Sequence, residues 1–158
     1  MPRARVQDPF EKLVPGFGLG RDPERTPIRW DRTPNGGFTR GEPWLPMDDD
    51  GACNIEEQAG NARSILQLYR RLIELRRHRR CLVDGGYRPF RARNDVLSYE
   101  RFLVDESISV GLNISGEPRL WNCEACGELL MSTHLDRDRE TVMGPILLRA
   151  NEGIVVQH

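Results

Sequence analysis

Lysine is nearly missing from this sequence. Among 23 basic residues only Lys12 is a lysine, and 24 acidic residues leave a net charge of −1 at pH 7. Neither sign dominates, so a broadly basic nucleic-acid binder is not expected; the arginine bias itself reads as GC-rich coding rather than a demand for guanidinium chemistry. Aromatics make up only 7% of the chain, and no apolar run approaches the roughly 18 residues of a spanning helix, so no membrane partner is expected. The opening Met1-Pro2-Arg3-Ala4-Arg5 is followed by no apolar signal-peptide core, and the expected location is cytoplasmic. Four cysteines without such a signal are too few for a disulfide scaffold and are expected as reduced thiols. At 158 residues the chain is also too short for a complete (β/α)8 barrel, which takes about 250.

Glycine and proline, by contrast, are concentrated. More than half of them fall in residues 1–50, where no apolar period of 3.6 or 2 residues is visible, so this stretch reads as loop. Disordered segments are poor in aromatics, whereas this one carries Phe10, Phe17, Trp30, Phe38 and Trp44. It is expected to be ordered and packed on something. Asn54 followed by Glu57 has capping-box spacing for a short helical turn, and Asn61 is placed to cap a longer helix reaching about Arg80. Ile65, Leu68, Tyr69, Leu72 and Leu75, widened by Leu66 and Ile73, give that helix a broad apolar stripe expected to be buried. Its other face is arginine-rich. From Cys81 the pattern changes to short β-like runs, Tyr87–Ala92, Val96–Val104, Ser107–Ile114, Glu128–His134, Pro145–Arg149 and Gly153–Gln157, as in an antiparallel sandwich or barrel-like sheet. Residues 51–80 carry a net +4 and residues 81–158 a net −4, so helix and β unit have opposite signs.

Several short motifs read as incidental. Gly16-Phe17-Gly18-Leu19-Gly20 has no preceding strand and no helix N-terminus behind it, which argues against a phosphate loop. Cys123-Glu124-Ala125-Cys126 has zinc-ribbon spacing, but Cys53, Cys81 and His134 form no second pair; no metal or cofactor is expected. His78 is assigned to the polar helix face, and Asp48-Asp49-Asp50 to a solvated loop. Asn113-Ile114-Ser115 matches the glycosylation sequon and reads as chance.

The densest unusual stretch is Gly20-Arg21-Asp22-Pro23-Glu24-Arg25-Thr26-Pro27-Ile28-Arg29-Trp30-Asp31, followed by Asn35-Gly36-Gly37-Phe38 and Gly41-Glu42-Pro43-Trp44. Alternating arginine and carboxylate, pinned by prolines and backed by tryptophans, suits a hydroxyl-rich ligand, because guanidinium donors and carboxylate acceptors pair with vicinal hydroxyls. A salt-bridged structural loop fits the same residues equally well.

This stretch strongly resembles the α-glucosidase and oligo-1,6-glucosidase branch of family-13 glycoside hydrolases, the α-amylase superfamily. The family pattern runs approximately G-R-D-x-x-R-T-P-M-Q-W-D, then N-x-G-F-(T/S) and G-E-P-W. The similarity continues through Asn54-Ile55, the helix Ser64 to Arg77, Asn113 to Pro118, Ser132 to Asp136 and Asn151-Glu152-Gly153, and so covers essentially the whole chain.

The resemblance implies an α+β fold: the loop after the last strand and the final helix of a (β/α)8 barrel over residues 1–80, then an antiparallel all-β C-terminal sandwich over 81–158. It implies a C-terminal fragment, with the missing barrel portion as partner and an α-glucoside or maltooligosaccharide as the parent enzyme's substrate. The family's aspartate nucleophile, glutamate acid/base and second aspartate sit on earlier barrel strands. Their motifs are absent, so no residue here is assigned a catalytic role. Arg25 alone is carried over, as the loop arginine that helps hold glucose in the −1 pocket. Ile28-Arg29 replaces the family's Met-Gln and puts a charge near the pocket mouth. The alternative is a free-standing β-sandwich module that binds carbohydrate or stabilises a partner chain.

Overall fold

The computed structural model describes residues 3–18, 20–47, 53–123, 126–137 and 139–158. Leu19, the acidic run Asp48–Asp50, Glu124 and Ala125 lie outside the described residues, as do the side chains of 3, 89 and 90. The chain divides into two compact units, Met1–Asn61 and Ala62–His158.

The first unit is short helical pieces joined by loop. A 3-10 turn at Arg3–Arg5 precedes α1 (Pro9–Leu13); further 3-10 turns at Pro23–Arg25 and Pro34–Gly37 lead to α2 (Ile55–Gly60). Asp8 caps α1, its carboxylate accepting from Phe10 N at 2.7 Å, and Pro9 starts the helix where a missing N–H is harmless. Asn54 caps α2 by accepting from Glu57 N at 2.9 Å. Asn61 does not cap the next helix, as its sequence position suggested; it closes α2, its N–H reaching Gln58 and Glu57 carbonyls.

The second unit begins with α3 (Ile65–His78), capped by Ser64 Oγ accepting from Gln67 N at 3.2 Å. Ser64 outcompetes Asn61 because it directly precedes the first helical residue, where its hydroxyl meets an unpaired N–H. Arg79 adopts extended backbone and breaks the helix before α4 (Arg80–Val83), two residues short of the expected end at Arg80.

Among the described residues eight strands follow: β1 (Gly86–Arg93), β2 (Val96–Phe102), β3 (Ser107–Asn113), β4 (Arg119–Trp121), β5 (Gly127–Ser132), β6 (Glu140–Val142), β7 (Ile146–Leu148) and β8 (Gly153–Gln157). They form an antiparallel sheet in the order β1-β2-β3-β8-β5-β6 and a two-stranded sheet β4-β7. Strands β4 and β6 are only three residues each, too short for a period of two to show in the sequence.

Alternation along β3 and β8 assigns the core to two layers. Ile108, Val110 and Val155 join Cys81, Leu68 and Leu75 on the helix side, whereas Ile154 and Val156 join Leu129, Trp121 and Leu148 under the small sheet. Gly111 is required there: a Cβ would lie 2.5 Å from the Trp121 ring. The stripe of α3 is not buried as a whole. Leu68 and Leu75 pack on the sheet, while Ile65, Tyr69, Leu72 and Ile73 stay exposed, at 65, 62, 37 and 49%. The sheet is too small to cover both flanks of the stripe.

Two polar hubs lock the turns. Asn113, 3% exposed, donates from Nδ2 to the carbonyls of Glu117 (2.7 Å) and Arg149 (2.8 Å), and its Oδ1 accepts from Ser115 N and Oγ. Glu152 is fully buried; its carboxylate accepts from Ser132 Oγ at 2.6 Å, Arg149 N at 2.7 Å and Arg149 Nη2 at 2.6 Å. Burial alone would raise the Glu152 pKa, but these bonds override it and hold the carboxyl at about 2. The Arg149 guanidinium also holds Asp136 at about 2. No helix among the described residues is long and apolar enough to cross a membrane.

Candidate functional site

Arg25 stands on the 3-10 turn Pro23–Arg25, where the ring of Pro23 fixes φ at the turn's first position and Arg25 N donates to Asp22 O at 3.0 Å. Beneath the turn lie two buried carboxylates. Asp22 Oδ2 accepts from Gln7 N at 2.6 Å and Asp8 N at 3.1 Å; Asp8 Oδ2 accepts from Arg21 N at 3.1 Å and Arg21 Nε at 3.4 Å. The Asp8 pKa is lowered, first by the backbone N–H of Arg21 and then by that of Phe10. The acidic partners of this arginine-rich loop thus point inward and tie it to the chain before α1.

Arg25 itself is exposed, and among the described residues its guanidinium takes no hydrogen-bond or ion-pair partner. Arg21, Asp8 and Asp22 are bound into the structural part of the stretch, whereas the Arg25 guanidinium stands outside it. A bare guanidinium on an anchored turn is suited to bidentate pairing with neighbouring hydroxyl or carboxylate oxygens.

The following segment is held as firmly. Trp30 N donates to Gly36 O at 2.7 Å, and the start of α2 is tied back by Ile55 N to Arg29 O (3.0 Å) and Glu56 N to Trp30 O (2.9 Å). Asn35 turns left-handed at φ 54° and its Nδ2 donates to Gly41 O at 2.9 Å. At Gly37, φ is 66° and a Cβ would fall 2.5 Å from Asp31 Oδ2, so only glycine fits. Asp31, bonded by the Thr33 hydroxyl and N–H, has a lowered pKa, the hydroxyl being the larger cause. Arg32 pairs with Glu57.

Arg29 lines a cleft of about 490 Å³ together with Arg5, Asn35, Glu42 and Met47, while Ile28 beside it is half exposed. The aromatics of this unit do not bury themselves within it: Phe17, Trp44, Phe38, Trp30 and Phe10 are 72, 66, 51, 50 and 47% exposed. An ordered loop has formed with its apolar side outward.

The remaining motifs do not join this site. Cys123 is buried and Cys126 exposed, and no three of His, Cys, Asp or Glu among the described residues come together as a cation would need. His78 lies exposed on α3, its Nδ1 2.9 Å from Glu74 O. The Glu152 hub went unread in the sequence, where Asn151-Glu152-Gly153 looks like any polar turn.

Residues 3–85 match the family model described as alpha amylase, catalytic domain. The chain is 28% identical over 141 residues to a glucan 1,6-alpha-glucosidase of Streptococcus dysgalactiae subsp. equisimilis, covering 88% of this chain and 25% of that protein. It is 33% identical over 127 residues to an oligo-1,6-glucosidase of Halalkalibacterium halodurans strain C-125, covering 78% and 22%. The trehalulose synthase of Pseudomonas mesoacidophila MX-45 superposes with a TM-score of 0.81 at 28% identity, over 93% of this chain and 28% of that one. The chain therefore spans about a quarter of the length of the proteins it matches.

Proposed function

Because the chain belongs to the α-amylase family of glycoside hydrolases, in the α-glucosidase and oligo-1,6-glucosidase branch, we propose that it is the C-terminal part of an enzyme acting on α-linked glucosides. Residues 1–80 are then the loop and final helix of a (β/α)8 barrel, and residues 81–158 the C-terminal sandwich. The observation that carries this reading is the extent of the match: a catalytic-domain model fits residues 3–85, and the sheet starts at Gly86. The exposed apolar flank of α3 and the outward aromatics of the loop support it, since a barrel wall is what such surfaces cover.

In this function Arg25 holds the glucose unit by its hydroxyls, while the nucleophile and the acid/base are supplied by the barrel strands. Arg29 adds a cation beside the pocket mouth and shapes the choice of the second sugar. The buried Asp8 and Asp22 carboxylates set the height at which the Arg25 turn stands. Cytoplasmic location is part of the same proposal.

Two measurements test it. The purified chain, incubated with a chromogenic α-glucoside, should show no turnover above a heat-killed control; turnover would overturn the division of labour. Translating the DNA upstream of Met1 in three frames should reveal a barrel with the carboxylate motifs, and its absence would leave a separate module.

A further inference from the structure

One face of the six-stranded sheet is divided. Over β8 and β5, and at Val96 of β2 and Gly111 of β3, it is covered by the Trp121 and Leu148 cluster, but the rest of β1, β2 and β3 borders a trough. Two adjoining hollows of about 570 and 460 Å³ share Arg91, Ser98, Trp121 and Asn122. Strand register determines what lines them. Arg88 stands opposite Glu100, which stands opposite Ser109; Arg91 stands opposite Ser98, which stands opposite Gly111. Directly opposed residues point to one face, so each row crosses three strands on the same side.

These groups are held in place. Arg88 Nη1 donates to both Glu100 oxygens, at 2.9 and 2.7 Å, with its guanidinium carbon 4.4 Å above the Phe102 ring. His158 bridges two partners, its Nδ1 3.2 Å from Cys126 O and its Nε2 2.8 Å from the Ser109 hydroxyl, which fixes Ser109 at the trough wall. Where Gly111 lacks a side chain the Trp121 indole lies on the strand and ends the polar rows.

The geometry points to a second binding site, for a neutral oligosaccharide, in this trough. Serine hydroxyls, the Asn122 amide and a fixed guanidinium–carboxylate pair supply both donors and acceptors for vicinal hydroxyls. The Arg88–Glu100 pair neutralises one of the lining arginines, and polar groups share the lining with apolar surface, as a sugar's hydroxyls and C–H faces require. The hollows suit roughly two or three sugar units, and so open a trough implies an affinity on the order of millimolar. The site belongs to the second unit and is formed without Arg25. Choosing an α-glucan as the ligand rests on the function proposed above.

The test is titration of the 158-residue chain with isomaltotriose, maltotriose and cellotriose, followed by saturation-transfer NMR and calorimetry. Ser98→Tyr, a strand-compatible residue that fills the trough, should weaken α-glucan binding at least about tenfold. Arg25→Ala should leave it unchanged. Thermal unfolding of Ser98→Tyr checks the fold, and Asn122→Ala at the exposed rim, expected to weaken binding about threefold, serves should that variant not fold. Preference for cellotriose would uphold the trough and count against the α-glucoside reading. No binding of any trisaccharide, binding lost with Arg25→Ala but kept in Ser98→Tyr, or binding of inorganic phosphate alone would overturn the site.

Discussion

Replacing Glu152 by glutamine keeps the shape of the buried hub and removes its charge. A carboxyl at about 2 in the folded chain, against an ordinary 4.5, contributes about 3 kcal/mol to folding at neutral pH. The variant keeps part of the bonding, because Arg149 still pairs with Asp136 and its side chain is 40% exposed. A loss of about 2–3 kcal/mol follows, below the 3–5 typical of a buried charge left without any partner. For a unit of roughly 100 residues that is a fall of about 10–20 °C in Tm. The pH dependence has a definite sign. Because the folded pKa is depressed, the contribution is complete above about 4.5 and disappears as pH falls toward 2. Calorimetry of both proteins at pH 7, 4 and 2.5 should show a wide gap at neutral pH that narrows in acid. A gap below about 3 °C at pH 7, or one as wide at pH 2.5 as at pH 7, would refute the reasoning.

Other perturbations address other parts. Asp22→Ala leaves the Gln7 and Asp8 N–H groups without their acceptor, about 1–3 kcal/mol locally, and protease cleavage within residues 3–30 should speed up several-fold while the sheet's melting is unchanged. Tyr69→Glu with Ile73→Glu should raise solubility and shift sedimentation of the isolated chain toward monomer, whereas Leu75→Ala should lower the Tm because Leu75 packs on the sheet. Thiol labelling at pH 8 should reach Cys53 and Cys126 quickly and Cys81 last, since burial, its largest cause, raises the Cys81 thiol to about 11. In the complete enzyme, Arg25→Ala should cut kcat/KM for an α-glucoside by about 10- to 100-fold with little change in Tm, because no contact within this chain is lost.

Much of the fold was legible from pattern. The strand runs from Tyr87 to Gln157 alternate or carry β-branched residues, and α3 shows its period plainly. What failed to show was whatever depends on partners far along the chain. Ser64 and Asn61 are both good caps, and only the backbone decides between them. The apolar stripe of α3 gives no sign of which flank meets the sheet. At the candidate site, Arg25 is put forward by resemblance alone, and what anchors its turn lay hidden: Asp8 lies 14 residues from Asp22, so the inward turn of these carboxylates has no local signature. Trough residues from three strands and the C-terminal histidine are likewise separated in sequence and joined only by register.

The Asn113 hub has a chemical consequence. Both hydrogens of its amide nitrogen are engaged by carbonyls, and the side chain is shielded from solvent. A glycan is transferred to that very nitrogen, and an oligosaccharyltransferase needs the sequon extended and accessible. The folded chain therefore cannot be modified at Asn113, whichever compartment it meets, and a sugar attached before folding would keep β3 from closing on the Arg149 turn.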